Sequence, residues 1–209
     1  MTIRVVPVCL TMAILLTSAY VHAESLVEGS AENGKARSIM CTACHGSEGN
    51  SVNSQWPSIA GQNASYMVAQ LEAFKSGLRS DPLMTGQAML LTDSDMRDIA
   101  VYFEGLPAAA MAVADPSIIG KGEALYRGGD SDSGVAACLA CHGPTGRGNP
   151  AAKYPALQGQ HADYTAKQLH DYASGTRKSD GKTRIMRDIA SRLSEDDIIA
   201  LASYVQGLR

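Results

Sequence analysis

The pentapeptide Cys41-Thr42-Ala43-Cys44-His45 recurs as Cys138-Leu139-Ala140-Cys141-His142, 97 residues further along a chain of 209. Two thiols three positions apart, followed at once by an imidazole, form the attachment pattern of c-type haem. The thiols bond covalently to the macrocycle, and the histidine is placed to bind its iron. A Cys-x-x-Cys pair alone would also suit half a zinc site or a redox dithiol. The only other cysteine is Cys9, so neither half has the third or fourth thiol that a zinc site needs. Each motif therefore predicts one covalent haem c, two per chain. Cys41, Cys44, Cys138 and Cys141 are the attachment residues, and His45 and His142 the proximal iron ligands.

Residues 1–23 read as a targeting segment. Arg4 supplies a positive start, residues 5–16 are nearly all apolar, and Val21-His22-Ala23 resembles a signal-peptidase site. The apolar run is interrupted by Pro7 and Thr11 and is short for a membrane span. A cleaved signal peptide predicts a periplasmic protein, and bacterial haem attachment takes place on that side of the membrane. Cleavage removes Cys9, leaving every cysteine in a haem motif. The net charge of −3 argues against nucleic acid as a partner. That charge is unevenly spread: residues 24–107 hold ten acidic and five basic side chains, residues 108–209 eleven and twelve. The resulting dipole can orient the molecule on a partner.

The spacing of the motifs is part of a longer internal repeat. Residues 56–66 (WPSIAGQNASY) align with 154–164 (YPALQGQHADY) at an offset of 98, and Gln70, Ser76, Gly77 and Arg79 with Gln168, Ser174, Gly175 and Arg177. After a length change the offset becomes 102, pairing Tyr102 with Tyr204 and Leu106 with Leu208. A first domain at 24–107 and a second at 118–209 are then joined by a linker at 108–117, rich in alanine and proline. Each is small enough for an apolar core alone to be marginal.

Within each half the pattern is helical. Asn63 stands where it can cap a helix whose apolar positions Met67, Leu71, Phe74 and Leu78 follow helical spacing, with Gly77 near its end. Its counterpart runs from about Ala162 to Ser174. Thr92-x-x-Asp95 and Ser194-x-x-Asp197 resemble capping boxes that open two further helices. Short helices are expected before each motif, at 31–40 and 118–128. The glycine-rich stretch 128–137 has no counterpart in the first half and reads as a surface loop.

A sixth iron ligand decides whether a haem moves electrons or does chemistry. After the second motif the only methionine is Met186, seven residues before Leu193. In the first half Met84 stands seven before Leu91, ahead of the matching capping box. Met67 and Met96 fall on apolar stripes and Met89 has no repeat partner, so Met84 and Met186 are the expected ligands. Each proximal imidazole also needs a carbonyl for its second nitrogen. Pro57 and Pro155 stand where such a carbonyl is required, or simply mark turns. His161 and His170 align with Asn63 and Glu72 and read as surface residues. The shared Gln62 and Gln160, Tyr66 and Tyr164, and Arg79 and Arg177 pair locally or reach haem propionates, the latter favoured for the arginines.

On the two Cys-x-x-Cys-His motifs, the PxxxGQ segments at 57–62 and 155–160, Met84-Thr-Gly86, Ile185-Met186 and the terminal residues 204–208, the chain resembles the dihaem cytochrome c4 family throughout its mature length. The resemblance implies an all-α protein of two tandem cytochrome c folds related by duplication, with His/Met-ligated haems facing each other across a pseudo-twofold axis. It also implies a periplasmic carrier, free or in peripheral contact with the membrane. Such a carrier shuttles electrons from a quinol-oxidising complex toward a terminal oxidase or a small cytochrome. A second reading is the electron-accepting subunit of a periplasmic dehydrogenase, such as a flavocytochrome sulfide dehydrogenase. With both axial positions filled, neither iron is open to peroxide, which disfavours a dihaem peroxidase.

Overall fold

The computed structural model describes residues 25–209, so the signal-segment reading of residues 1–23 lies outside it. Among the described residues the regular structure is helical, with two isolated bridges, Asp130–Val135 and Asn149–Tyr154, and no strand. The first half holds α1 (Ala31–Arg37), α2 (Ile39–His45), α3 (Ala64–Ser76), α4 (Pro82–Met89) and α5 (Asp93–Glu104). The second holds α6 (Ile119–Gly128), α7 (Leu139–His142), α8 (Ala162–Ala173), α9 (Ile185–Ala190) and α10 (Glu195–Gly207), with 3-10 turns at Pro116–Ile118 and Gly181–Thr183.

The single helix expected over 31–40 is two. The chain pauses at Ser38, whose hydroxyl donates back to the Lys35 carbonyl at 2.9 Å, and a new helix then runs through the haem motif itself. Such local side-chain bonds compete with the helical ladder. Both capping boxes form: the Thr92 hydroxyl takes the Asp95 amide while Asp95 takes the Thr92 amide, and Ser194 and Asp197 repeat the exchange. These donors hold the Asp95 carboxyl below its usual range, so its contribution is present above about pH 4 and lost as the pH falls through its lowered value. Gly77 ends α3 at φ +75°, where a side chain would be strained.

Each half has its own core, built on its last helix. Met67, Leu91, Met96, Ile99 and Phe103 cluster in the first, and Leu125, Tyr126, Leu201, Tyr204 and Val205 in the second. In each, the first α-helix packs against the last, α1 on α5 and α6 on α10. A glycine sits at each crossing. A Cβ on Gly34 would lie 2.0 Å from the Asp98 carbonyl oxygen, and one on Gly122 2.2 Å from that of Ala200. Backbone meets backbone there with no room for a methyl group.

The 128–137 stretch is a loop, pinched by the Asp130–Val135 bridge that buries Val135. The segment joining the halves is pinned rather than loose. Gln206 donates to the Ala112 carbonyl, the Asp115 amide donates to the Ser203 hydroxyl, and Arg209 donates to Met111. It passes so close to Gly61 and Gly159 that Cβ atoms there would meet Ala108 and Ala109.

Replacing Gly122 or Gly34 by alanine should push the crossing helices apart and cost about 1–3 kcal/mol, the range for overpacking. Denaturant unfolding followed by circular dichroism checks this, with Gly86→Ala, where open space surrounds the position, as the control that should change little.

Candidate haem sites

Because α2 and α7 run through the motifs, Cys41 and Cys44, and likewise Cys138 and Cys141, turn toward the same side of the chain. All four thiols are unbridged and half-buried. Burial pushes the Cys41 thiol above its ordinary value and that of Cys138 up to about 11, so both remain protonated at neutral pH. His45 and His142 are buried, and each Nδ1 lies on a prolyl carbonyl: Pro57 at 2.8 Å and Pro155 at 3.0 Å. A carbonyl only accepts, so Nδ1 carries the proton and the Nε2 lone pair is left free. Burial lowers both imidazole pKa values, against the carbonyl bond and, at His45, with help from the nearby Arg79 cation. Both rings are therefore neutral and fixed in the tautomer that a metal ligand needs.

Met84 and Met186 occupy matching places. Each lies in the first turn of a short helix, α4 or α9, which packs on α3 or α8 respectively. Asp81 accepts from the Leu83 and Met84 amides at 3.0 Å and so starts α4. Both methionines are half-buried. Met67 and Met96 are instead spent in the first core, and Met89 is 60% exposed.

The contact between halves is where sequence reasoning went furthest astray. Gln62 donates to the Ala156 carbonyl at 2.9 Å and accepts the Ala156 amide at 2.8 Å. Gln160 does the same with Ser58, at 2.8 and 3.0 Å. These glutamines pair across the contact as well as locally, where each also accepts the amide of the next residue, Asn63 or His161. Asn63, expected to cap α3, makes no capping bond; its amide donates to the Tyr154 and Arg147 carbonyls of the other half. His161, its repeat partner, is buried and donates from Nε2 to Ser51 at 2.8 Å, which overturns its reading as a surface residue. His170 is exposed, beside Glu195. The helix starts left uncapped by Asn63 and His161 are served by the last helices, through Glu104 to the Ala64 amide and Gln206 to that of Ala162.

Deeper in this contact Arg79 donates to Gln70 of its own half and to Tyr164 and Gln168 of the other. Arg177 mirrors it, donating to Gln168, Tyr66 and Gln70 at 2.6–2.7 Å. Each guanidinium also stacks on an aromatic ring, Phe74 or Tyr172. Arg177 is only 4% exposed, yet neither arginine enters an ion pair among the described residues. Burial pushes the Tyr66 phenol up, but the two cations more than reverse that and leave its pKa lowered.

This donor set fits a covalently held haem in each half. Paired thiols, a neutral imidazole with a free nitrogen and a half-buried methionine recur in each half, and one buried and one half-buried cation, Arg177 and Arg79, lack an anion that the carboxylates of such a group would supply. The family model "Cytochrome c" matches residues 31–107 and again 121–209. Cytochrome c4 of Pseudomonas aeruginosa is 46% identical over 180 residues, covering 86% of this chain and 89% of that protein. The chain belongs to the cytochrome c4 family. The reduced recombinant cytochrome c4 of Pseudomonas stutzeri superposes with a TM-score of 0.84 at 44% identity, over 87% of this chain and all of that one. A thiosulfate dehydrogenase electron acceptor of Stutzerimonas stutzeri is 37% identical, over 79% of this chain and 77% of its own length. As a dihaem cytochrome c4, the protein carries two covalent haem c groups and is an electron carrier rather than an enzyme.

Tyr66→Phe should cost about 1–2 kcal/mol, the penalty for leaving a buried donor unpaired. It should also raise hydrogen exchange at the Ser58 and Ala156 amides, which bond across the same contact. Unchanged protection at those amides would show that the tyrosine bond is not what holds the halves together.

Proposed function

We propose that the protein is a periplasmic carrier that shuttles single electrons between respiratory-chain partners through two haems, each held by one histidine and one methionine. The supporting observation is that both halves keep the same set: a buried neutral imidazole with its Nδ1 on a prolyl carbonyl, and a half-buried methionine in the first turn of a short helix. In this reading Cys41, Cys44, Cys138 and Cys141 tether the groups, and His45 with Met84 and His142 with Met186 hold the irons. Haem bound in this way supplies a one-electron couple whose potential the thioether raises.

The residues of the chain account for the rest. The carbonyls of Pro57 and Pro155 stop the imidazoles from rotating and raise their basicity. Met84 and Met186 would each hold an iron from their short helix and so leave it closed to peroxide, oxygen and other small ligands. Arg79 and Arg177 would bind and neutralise the haem carboxylates near the contact between halves. Residues 24–107 and 118–209 then act as two modules joined by 108–117. Residues 1–23 direct export, and among the described residues no helix is long and apolar enough to cross a membrane. A quinol-oxidising complex as donor and a terminal oxidase or small cytochrome as acceptor fit a carrier so placed.

A second reading has the chain as the electron-accepting partner of a dehydrogenase. The likeness to a thiosulfate dehydrogenase electron acceptor favours a sulfur-compound dehydrogenase for that role.

Met84→Ala and Met186→Ala should each remove about half of the near-infrared methionine–iron band of the oxidised protein and let one haem bind added imidazole or cyanide. Full retention of the band in both variants would overturn the ligand assignment. Purification of the chain in equimolar complex with a dehydrogenase would move the function to the second reading.

A further inference from the structure

Beyond the interface arginine the two repeats differ in length at one place, ahead of the last helix. Residues 80–90 do this work in the first half and residues 178–192 in the second, four residues longer. The two segments carry Met84 and Met186 and are otherwise chemically opposite. The first has no basic residue, one acidic residue (Asp81), and Leu83, Met89 and Leu90 exposed. The second carries five basic residues against two acidic.

The folded loop decides which of those charges face solvent. Asp180 is spent inward: it takes the Arg187 backbone amide at 3.0 Å and the Arg187 guanidinium at 2.8 Å, in an ion pair that is largely buried. That pair cancels itself. Arg192 turns away to the Gly134 carbonyl of the inserted loop. Lys178, Lys182 and Arg184 remain, all exposed on the turn that runs into Met186. Only the exposed Asp188 opposes them, at 3.3 Å from Arg184, and an exposed pair of this kind is worth little.

The backbone holds these cations in place. The Lys178 amide donates to the Leu78 carbonyl of the first half, and the Thr183 hydroxyl caps back to Asp180. Arg184 adopts a left-handed conformation, φ +54°, immediately before α9. Glycine would take that position at less cost. A long cationic side chain stands instead at the foot of the methionine helix.

We propose that Lys178, Lys182 and Arg184 form a docking surface for an acidic redox protein, one whose own electron-transfer centre is ringed by carboxylates. The inference rests on the carrier reading and adds the chemistry of one partner. Docking there brings the partner against the Met186 helix. One electron passes to it, the carrier being oxidised and the partner reduced with no proton moved. At the equivalent place the first half has no cation within the segment and exposes Leu83, Met89 and Leu90, so the two halves select different partners. Long-range attraction of this kind acts mainly on the association rate and is screened by salt.

The test uses the haem-loaded protein, a K178E/K182E/R184E variant and plant plastocyanin, a copper protein with an acidic patch, as electron acceptor. Stopped-flow oxidation at low ionic strength should slow by about tenfold or more in the variant, and the difference should vanish at about 0.5 M salt. The rate with mitochondrial cytochrome c, a basic acceptor, should not fall. An unchanged plastocyanin rate would overturn the proposal, as would equal slowing with both acceptors. Retained plastocyanin rates combined with loss of binding to phosphatidylglycerol vesicles would overturn it in favour of a membrane surface. Should the reversal variant fail to take up haem, K178Q/K182Q/R184Q carries the same test with a smaller expected slowing. The near-infrared methionine band, recorded on the same samples, reports on the ligand reading separately from docking.

Discussion

Two arginine side chains of like charge lie beside each other between the halves, and both reach Gln70 and Gln168. An isolated buried cation is costly, and two together more so, unless something negative is close. The chain itself answers only in part. Glutamine oxygens, tyrosine hydroxyls and ring faces solvate the guanidiniums without neutralising them. The way the halves meet follows from this unfinished balance. In the carrier reading the cofactors' carboxylates would complete the contact, so that the groups that bring redox chemistry to each half would also help to fasten the halves to each other.

Much of this was legible from residue order alone, where the signal is local. A capping box is four consecutive residues, and both formed as read. The helix at 64–76 followed from apolar spacing and a terminal glycine, and that at 162–173 from its place in the repeat. Pro57 and Pro155, 12 and 13 residues after their histidines, could be read from order alone as carbonyl partners or as plain turns, and the structure shows the former. What stayed hidden depends on contacts between residues far apart in the chain. Asn63 and His161 occupy helix-start positions, and nothing local says that their side chains turn outward to the opposite half while Glu104 and Gln206 take over the cap. Gly34 and Gly122 look like poor helix formers until the crossing helix is in place. A signal did exist for the interface: Gln, Tyr and Arg are kept at matching positions of two repeats that otherwise diverge.

The duplication also gives each half an internal comparison. Cores, caps, imidazole anchors and interface bonds are matched pair by pair, so they report what a haem-bearing unit of this size requires. The differences in length lie in surface segments, namely the inserted 128–137 loop and the longer stretch around Met186, while buried pairs such as Asn63 and His161 change identity but each keep a bond to the opposite half. Interior chemistry is shared while outward-facing chemistry is not. A relay needs that combination, since its two sites must behave alike toward the electron and differently toward their surroundings.

The bonds across the axis have one more implication. Gln62 meets the loop that carries Ala156, Gln160 meets the loop that carries Ser58, and Arg79 and Arg177 exchange tyrosines. Residue i touches j and the copy of j touches the copy of i, which is the geometry of an isologous dimer. Nothing in that set of contacts requires the halves to be covalently joined. The linker's contribution is to fix the local concentration of one half around the other and to rule out like-with-like pairing. Once pairing is secured in that way, two units that began as copies are free to become different.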